Sequence, residues 1–598
     1  MSHSTTTPGL SASAVAPVLV AAVLLAVVAP ATVPAAVAAN ATANDAASTS
    51  DAPEIVALYP NPVVDGDAGE FVVLRVPTPT NLSNWSLADG ESTVSLPNAT
   101  VSGRVALSTD PRVARNLTDV RVLALSGDLS LANAGETVRL VGSNATASTV
   151  ETGVNATVTA SVTYENAPEG ERLHRVQATG RRPGRDANGS GSDVNGPGRE
   201  SDWRWTPLGA TDFEVARTGP TEVRAFVLPD AHAVPLETLR RAESRVLLAG
   251  YTFASVRVAD ALAAAARRGV EVRVLVDGAP VGGLPRREAK LLDSLVARGV
   301  EVRVLGGERA RYDFHHAKYA VADDRALVLT ENWKPSGTGG HSNRGWGAVV
   351  RNETAVNRLA ELFEADAGWR GATAWSEFRH GRSFDPADDA PANDSYPSEV
   401  ASRNVNVSSS SLLIAPDNAE DALLSVLDSA DESIRVQQVA IGGRRTGLLR
   451  ATLRAARRGV EVEILLSSAW YVEEDNRKLV EWLNDRAESE GLALEARMAN
   501  PRGRYEKIHA KGVVVDDETA VVGSLNWNNH SARENREVVV VLRGEEVGGY
   551  YAEAFDSDWD ASAGGPGGGR VPVGLLVAVA VGAVVAILYA KREVAFEN

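Results

Sequence analysis

The chain has 598 residues, 44% of them hydrophobic, so it is too long for one ordinary core and is expected to divide into several domains. Its formal net charge is −17 at pH 7, and only seven of its 60 basic residues are lysine. This acidic, arginine-dominated composition is typical of proteins adapted to high salt, so the negative charge does not exclude a phosphate-bearing substrate. The absence of cysteine excludes disulfides, thiolate metal sites and cysteine nucleophiles.

Residues 1–39 have the pattern of a signal peptide for export. An apolar stretch from Ala14 to Val33 precedes Ala36-Val37-Ala38, small residues of the kind that signal peptidase cleaves. The region before the stretch has no Lys or Arg, which leaves an uncleaved anchor as the alternative. Either interpretation predicts an exported chain.

Residues 54–218 predict an immunoglobulin-like β-sandwich. Short segments rich in Val, Leu and Thr alternate there with Asn, Gly, Pro and Asp turns, and no helical periodicity appears. A polar loop at 181–200 interrupts or follows the sandwich. Three segments resemble a lamin-tail domain: GEFVVL at 69–74, LSNWSLADG at 82–90 and GETVRL at 135–140. The resemblance implies a module that binds or positions a ligand, whose identity stays open.

Beyond residue 221, alternating helical and strand patterns predict an α/β region with an internal repeat. The segment AAARRGVEVRVLV at 264–276 reappears as RAARRGVEVEILL at 454–466. In each copy a helix is expected to end at a glycine, Gly269 or Gly459, and a strand to follow at once. One face of each strand is apolar: Val270, Val272, Val274 and Val276 in the first copy, and Val460, Val462, Ile464 and Leu466 in the second. We therefore predict two α/β halves, at 222–384 and 403–560, joined by a linker at 385–402.

Each half carries the motif HxK(x)4D. The two copies are His316, Lys318 and Asp323, and His509, Lys511 and Asp516. The composition predicts about 0.1 HxK triplets by chance in the whole chain, and an Asp at the same spacing lowers that figure about tenfold. Because residues two apart on a strand face the same side, each His and Lys pair can contact one ligand.

A return strand after each motif adds neutral donors beside it. In the second half, 516–518 form a turn and the returning strand carries Ser524 and Asn526; in the first half, Thr330 and Asn332 take those places. Asn535 and Glu537 are expected to support the site. Asp323 and Asp516, although part of the catalytic motif, are expected to support the hairpin or orient the site. Three further histidines, His315, His341 and His530, are assigned to surface or loop positions.

Two imidazoles, two ammonium groups and several neutral donors suit an in-line displacement at a tetrahedral phosphate. One histidine can attack phosphorus, while the other protonates the leaving oxygen and later deprotonates water or an alcohol. The histidines show neither HExxH spacing nor a compact carboxylate set, so no metal and no cofactor is expected.

The doubled HxK(x)4D, followed in the second half by Gly523-Ser524-Leu525-Asn526, resembles the phospholipase D superfamily over about residues 222–560. The resemblance implies a bilobed α/β fold with pseudo-twofold symmetry and one active site formed by both halves of a single chain. It further implies that His316 is the nucleophile and His509 the general acid and base. The first half departs from the pattern, since it lacks the Gly-Ser pair and has Asn343-Arg344-Gly345 where the second has Asn535-Arg536-Glu537.

The C-terminal part predicts a membrane anchor. A Gly-rich linker at 561–570 precedes 20 apolar residues at 571–590, about 30 Å as a helix and enough to span a bilayer. Lys591 and Arg592 follow, so the tail at 591–598 is expected in the cytoplasm. The sequence thus predicts a multidomain, single-pass protein of the cell membrane, with a β-sandwich and a bilobed α/β region outside the cell.

Three functions are compatible with these features. The leading hypothesis is a phosphodiesterase that acts on phospholipid by hydrolysis or by phosphatidyl transfer, as in cardiolipin synthase-like relatives, because a tether keeps the site near lipid headgroups. An extracellular, metal-independent nuclease is the alternative, since the same chemistry cleaves nucleic-acid phosphodiesters. A third hypothesis is a non-catalytic surface-binding protein that uses the β-sandwich.

Overall fold

A computed structural model describes residues 52–62, 68–118, 120–127, 129–143, 156–176, 202–211, 213–307, 310–384 and 392–563. The predicted signal peptide at 1–39, the polar loop at 181–200, the anchor at 571–590 and the tail at 591–598 lie outside these residues, as does most of the linker at 561–570. Within the described ranges, no helix combines the length and the apolar character needed to cross a membrane.

The N-terminal part is a β-sandwich, as predicted. Its elements are β1 (Glu54–Tyr59), β2 (Phe71–Asn81), β3 (Trp85–Ala88), β4 (Thr93–Ser95), β5 (Thr100–Ser108), α1 (Pro111–Leu117), β6 (Arg121–Ala124), β7 (Gly135–Ser143), β8 (Ala156–Glu165), β9 (Glu171–Val176) and β10 (Asp202–Pro207). The strands form two sheets, in the orders β10-β9-β1-β2-β5-β6 and β4-β3-β7-β8. Residues such as Leu74 and Leu140, one from each sheet, share one buried core. Helix α1 departs from the expected absence of helix: it begins where Asp110 caps it and Pro111 occupies its first turn.

The first α/β lobe contains most elements between residues 216 and 378. They are β11 (Ala216–Thr218), β12 (Thr221–Leu228), α2 (Ala233–Arg240), β13 (Arg245–Gly250), α3 (Val256–Arg267), β14 (Glu271–Asp277), α4 (Arg286–Ala297), β15 (Glu301–Leu305), β16 (Tyr319–Ala322), β17 (Arg325–Leu329), β18 (Asn343–Val350), α5 (Glu353–Ala367), β19 (Ala372–Ala374) and α6 (Trp375–Phe378). The second lobe continues with β20 (Arg403–Val407), β21 (Ser409–Ala415), α7 (Ala419–Asp428), β22 (Ser433–Gln438), α8 (Gly447–Arg457), β23 (Glu461–Leu466), α9 (Glu473–Glu490), β24 (Leu494–Met498), β25 (Lys507–Ile508), β26 (Lys511–Val515), β27 (Thr519–Gly523), α10 (Asn529–Arg533), β28 (Glu537–Arg543) and α11 (Glu545–Ser562).

The internal repeat folds alike in both lobes. Gly269 and Gly459, with φ of 89° and 97°, end α3 and α8 in the left-handed region, as predicted. The apolar strand faces that follow lie in the core of each lobe. After each helix an arginine, Arg268 or Arg458, donates to two backbone carbonyls of the neighbouring turn. Equivalent sequences therefore build equivalent layers of helix on sheet.

The two lobes exchange strands at their sheet edges. The first sheet runs β19-β15-β14-β13-β16-β17-β18-β12-β20, and the second runs β11-β21-β28-β27-β26-β22-β23-β24. Strand β11, from the range assigned to the sandwich, thus belongs to the second sheet, and β20, from the range assigned to the second half, belongs to the first. Strand β25 of the second lobe also pairs with β18 of the first. The sheets cross the boundaries that composition alone suggested.

Buried ion pairs join the lobes at two related positions. In the first lobe Arg344 pairs with Asp230 and reaches across to Asp558 on α11, at 2.9 Å from Nε to Oδ2. In the second, Arg536 reaches across to Asp366 on α5, at 3.0 Å. These side chains are almost fully inaccessible, so each charge depends on its partner. The pairs fix how the lobes face each other and hence where the motifs meet.

Candidate active site

Both HxK motifs lie just before a strand, and each is hydrogen-bonded to the other lobe. His316 and Lys318 precede β16, and His509 precedes β26, of which Lys511 is the first residue. The His509 N–H donates to the Arg344 carbonyl at 2.9 Å, while the Arg536 N–H donates to the Phe314 carbonyl at the same distance. The extended segments therefore approach from opposite lobes. Their four motif side chains are between 0% and 5% exposed, and both motifs are buried where the lobes contact each other.

Glu537 orients the first histidine from the opposite lobe. Its Oε1 and Oε2 atoms lie 2.8 and 3.0 Å from Nδ1 of His316. Asn535 supports the carboxylate, because its Nδ2 donates to Glu537 Oε1 at 3.2 Å. A carboxylate accepts a hydrogen bond, so we assign the proton to Nδ1 of His316. Nε2 of His316 is buried and has no partner among the described residues, which leaves it available to a substrate.

Glu331 makes the corresponding contact with the second histidine. Its Oε1 lies 3.2 Å from Nδ1 of His509, and its Oε2 accepts from Nδ2 of Asn343 at 2.9 Å. Glu331 comes from the first lobe and His509 from the second, so this pair also crosses between lobes. Neither Glu331 nor Asn343 was among the residues predicted for the site. A signal was present in the repeat itself, because the first half has Glu331 where the second has Leu525.

The two lysines lie against the histidines. Lys318 donates to the His316 carbonyl at 2.6 Å, and its ammonium is 5.3 Å from the centre of the Tyr251 ring. The Lys511 ammonium lies 3.1 Å from Nδ1 and 3.3 Å from Nε2 of His509, and also contacts the carbonyl oxygens of Thr330 and His509. Two ammonium groups beside two imidazoles favour an anion between them.

Burial and charge set the protonation of these groups. Burial lowers the pKa of His316 to about 4, with Glu537 opposing the shift and Lys318 adding to it, so the imidazole is neutral at pH 7. Burial acts against ionisation of Glu331 and Glu537, but the histidine that each contacts and the neighbouring lysine outweigh it and hold the pKa of both carboxyls below the ordinary value. The site therefore combines a neutral nucleophile candidate with two carboxylates.

The predicted neutral donors are present and buried, with their hydroxyls turned to the backbone. Thr330 Oγ1 accepts from the Trp346 N–H at 2.9 Å, and Ser524 Oγ accepts from the Val538 N–H at 3.0 Å. Asn332 and Asn526 are buried beside them. Thr330 and Ser524 thus hold equivalent positions in the two lobes, where they fix the strands that carry the carboxylates.

The motif aspartates lie elsewhere. Asp323 accepts backbone N–H groups of residues 243, 244 and 245 at 2.8 to 3.0 Å, and Asp516 does the same for residues 431, 432 and 433. Burial is outweighed by these bonds, which hold the pKa of Asp323 at about 2. The structure assigns both to anchoring the hairpin, in agreement with the supporting role expected for them.

Two neighbours of His316 differ from expectation. His315, assigned to the surface from sequence, is 1% exposed; its N–H donates to Asp277 at 2.6 Å, and its Nε2 lies 3.4 Å from Asp366. Its backbone also forms a β-bridge with Arg536 of the second lobe, so His315 is part of the lobe interface. Tyr251, which sequence reasoning did not select, packs its ring 4.8 Å from the His316 ring, edge to face. Within the described chain no group of three or more His, Asp or Glu residues is arranged to hold a metal ion.

Comparisons with known proteins agree with this architecture. Residues 236–367 and 423–559 match the family model described as the PLD-like domain of cardiolipin synthase. Cardiolipin synthase A of Cronobacter sakazakii is 26% identical over 317 residues, which cover 50% of this chain and 60% of that protein. Cardiolipin synthase A of Buchnera aphidicola is 23% identical over 299 residues, 49% of this chain and 58% of its own. The chain thus spans about 60% of the length of these curated relatives.

A solved structure of phosphatidylserine synthase from Haemophilus influenzae aligns over 58% of this chain and 85% of its own, at 13% identity and a TM-score of 0.42.

Proposed function

We propose that this chain, in which residues 236–367 and 423–559 form a pair of PLD-like repeats, is a phosphodiesterase that acts on phospholipid by hydrolysis or phosphatidyl transfer. The observation that carries the proposal is the pair of cross-lobe contacts, His316 with Glu537 and His509 with Glu331. They gather two oriented imidazoles and two ammonium groups in one buried cluster, as an in-line displacement at phosphorus requires.

The proposed reaction proceeds in two steps. Nε2 of His316 attacks phosphorus, the bond from phosphorus to the leaving oxygen breaks, and protonated His509 gives its proton to that oxygen. Water or an alcohol then attacks the phosphohistidine, the bond from phosphorus to Nε2 breaks, and His509 takes the proton of the attacking hydroxyl. Lys318 and Lys511 stabilise the charge on the non-bridging oxygens in both steps. Glu537 stabilises the positive charge that His316 acquires while it carries the phosphoryl group.

Exposed groups near the second motif support a lipid substrate. Trp470, in the loop after β23, is 63% exposed and packs edge to face against Tyr471. The Lys507 ammonium lies 5.0 Å from the Tyr471 ring, and Lys507 is two residues before His509. An exposed aromatic side chain beside a basic one suits the headgroup region of a bilayer.

A surface cavity of the second lobe lies beside the segment that follows Asn526. It has a volume of about 580 Å³ and is lined by Arg444, Arg445, Asn528 and His530, among others. His530 of this lining packs 5.8 Å from the ring of Phe314, two residues before His316, so the cavity borders the first motif. Arginine side chains at this position suit an anionic headgroup or acceptor.

Export and anchoring complete the proposal. The apolar segments at 14–33 and 571–590 support a single-pass protein whose catalytic lobes lie outside the cell. Such a tether holds the site close to the lipid surface. The β-sandwich, with its lamin-tail-like segments, would bind or position a further ligand.

The test uses the purified full-length chain in mixed micelles of phosphatidylglycerol and detergent, with a chelator present. We expect the release of glycerol together with either phosphatidic acid or a new diphosphatidyl lipid, detected by mass spectrometry. His316→Ala and His509→Ala variants, checked for unchanged melting temperature, serve as controls and should lose this turnover.

Parallel incubations replace the lipid with phosphatidylcholine, single-stranded DNA or RNA. Chelator-resistant cleavage of nucleic acid without turnover of any lipid would reassign the protein as a nuclease. Equal behaviour of the wild type and both histidine variants on every substrate would remove the catalytic assignment.

A further inference from the structure

The two repeats place a carboxylate on Nδ1 of the opposite histidine from different sequence positions. In the second repeat the carboxylate is Glu537, the third residue of Asn535-Arg536-Glu537 on β28. The register of the strands makes Gly345 its counterpart on β18, because Leu329 pairs with Gly347 just as Gly523 pairs with Val539. The first repeat thus has no side chain where the second has its catalytic carboxylate.

Glu331 fills the space at this glycine. A Cβ atom built on Gly345 would lie 2.5 Å from Oε1 and 2.8 Å from Cδ of Glu331, and still closer to its Cγ. A side chain at position 345 and the present Glu331 side chain therefore exclude each other. The counterpart of Glu331 in the second repeat is Leu525, which is buried in the core of that lobe.

The partners of the two carboxylates also correspond. Asn343 donates to Glu331 at 2.9 Å, and its counterpart Asn535 donates to Glu537 at 3.2 Å. Glu331 is fully buried, and His509, Lys511 and Asn343 favour its ionised form. The Glu331 carboxylate therefore has partners of the same kind as the Glu537 carboxylate. Glu331, however, follows strand β17, whereas Glu537 begins strand β28.

We infer that Glu331 and Gly345 form a reciprocal exchange, in which Glu331 is the positioning residue of His509 and Gly345 provides the space that it needs. The carboxylate has moved 14 positions along the chain while its place beside the imidazole is kept. Glu331 holds the proton on Nδ1 of His509 and stabilises the imidazolium, so that Nε2 faces the leaving oxygen. The expected changes in kcat rest on the proposed function, whereas the competition of positions 331 and 345 for one space does not.

The test converts the first repeat to the arrangement of the second. Glu331→Leu, Gly345→Glu and the double variant are made in the full-length chain, and melting temperature, kcat and KM are measured on phosphatidylglycerol micelles. Glu331→Leu should lower kcat by about 10²- to 10⁴-fold with KM little changed, since it removes the partner of the general acid. Gly345→Glu alone should lower the melting temperature sharply, because two carboxylates compete for one buried space.

The double variant should regain both properties, with kcat at least about tenfold above that of Glu331→Leu and a melting temperature above that of Gly345→Glu. The inference would be overturned if the double variant had a kcat no higher than that of Glu331→Leu, or a melting temperature no higher than that of Gly345→Glu. A wild-type kcat in Glu331→Leu would also overturn it. The isosteric Glu331→Gln variant keeps the packing and should move the basic limb of the kcat profile to lower pH, because an amide no longer favours the imidazolium. An unmoved limb would reduce Glu331 to a structural role.

Failure of the proposed function gives a different result. If the wild type turns over no lipid or other phosphodiester, the melting temperatures of the three variants still show whether positions 331 and 345 compete for one space. Recovery of stability in the double variant then supports the exchange, and additive losses reject it.

Discussion

The first and second repeats reach the same imidazole–carboxylate pair with different residues. The second repeat places Glu537 on strand β28, whereas the first leaves glycine there and delivers Glu331 from the end of β17. Their hairpins, capping aspartates and helix ends otherwise correspond closely. The comparison indicates that the carboxylate must lie beside the imidazole, whereas the residue that supplies it can differ. A small residue such as Gly345 is then needed where the new carboxylate side chain packs.

Replacing each histidine in turn gives the largest expected effect and tests whether the repeats divide the chemistry. We expect His316→Ala and His509→Ala each to lower kcat on phosphatidylglycerol by about 10⁴-fold or more. With bis(p-nitrophenyl) phosphate, whose leaving group needs no proton, His509→Ala should release a burst of one p-nitrophenol per active site and accumulate phosphohistidine. His316→Ala should show no burst. A burst in His316→Ala instead would exchange the two roles.

The next effect concerns Glu537. Because Glu537 favours the protonated form of His316, Glu537→Gln should lower the pKa of His316 below its present value of about 4. The acid limb of the kcat/KM profile, below which the nucleophile is protonated, should therefore move to lower pH. At the same time kcat should fall about 10²-fold or more, since the phosphohistidine loses its counter-charge. Stopped-flow assays from pH 3 to 8 measure both changes, and an acid limb that moves upward would contradict the arrangement.

The two interface ion pairs can be compared by how much each contributes to the free energy of unfolding. Asp558→Ala leaves Arg344 with Asp230 alone and also removes a partner of Arg504, while Asp366→Ala removes the cross-lobe partner of Arg536. Each should lower the free energy of unfolding by up to about 3–5 kcal/mol, because a buried arginine loses one of its two carboxylate partners. Urea unfolding followed by tryptophan fluorescence measures the change. Glu473→Ala, which removes an exposed pair with Arg477, is the matched control and should leave the midpoint unchanged.

The smallest effect is expected at the exposed rim of the second lobe. Trp470→Ala should lower activity on anionic vesicles by a few-fold, about 1 kcal/mol of interfacial binding, and leave activity on a short-chain, monomeric phospholipid unchanged. Val256→Ala, at an exposed apolar position of the first lobe, is the control. Equal losses on vesicles and monomers would show that Trp470 supports the fold of the loop and not contact with lipid.

Much of this architecture follows from the sequence because it depends on local rules. The glycines that end α3 and α8 and the alternating valines after them specify helix, turn and strand within about a dozen residues, and the structure has them as expected. The doubled HxK motif likewise singled out His316, Lys318, His509 and Lys511, which are buried where the two lobes contact each other; their catalytic role stays a prediction.

The parts that escaped prediction depend on how distant segments meet. Glu331 lies between Thr330 and Asn332, both of which were selected, yet its role depends on its approach to His509, 178 residues away in the chain. The burial of His315 likewise depends on a distant segment, because its backbone forms a β-bridge with Arg536 of the second lobe. A comparison of the repeats position by position contains the available clue. The first repeat has Glu331 where the second has Leu525, and Gly345 where the second has Glu537. The strand exchange between lobes had no comparable signal.

The edge strands β11 and β20 have a consequence for any attempt to divide this chain. A fragment ending between the repeats would keep β12 without its outer neighbour, and the complementary fragment would keep β21 without β11, so each would expose an unpaired sheet edge prone to aggregation. Both sheets are therefore complete only when the two repeats are present in one polypeptide.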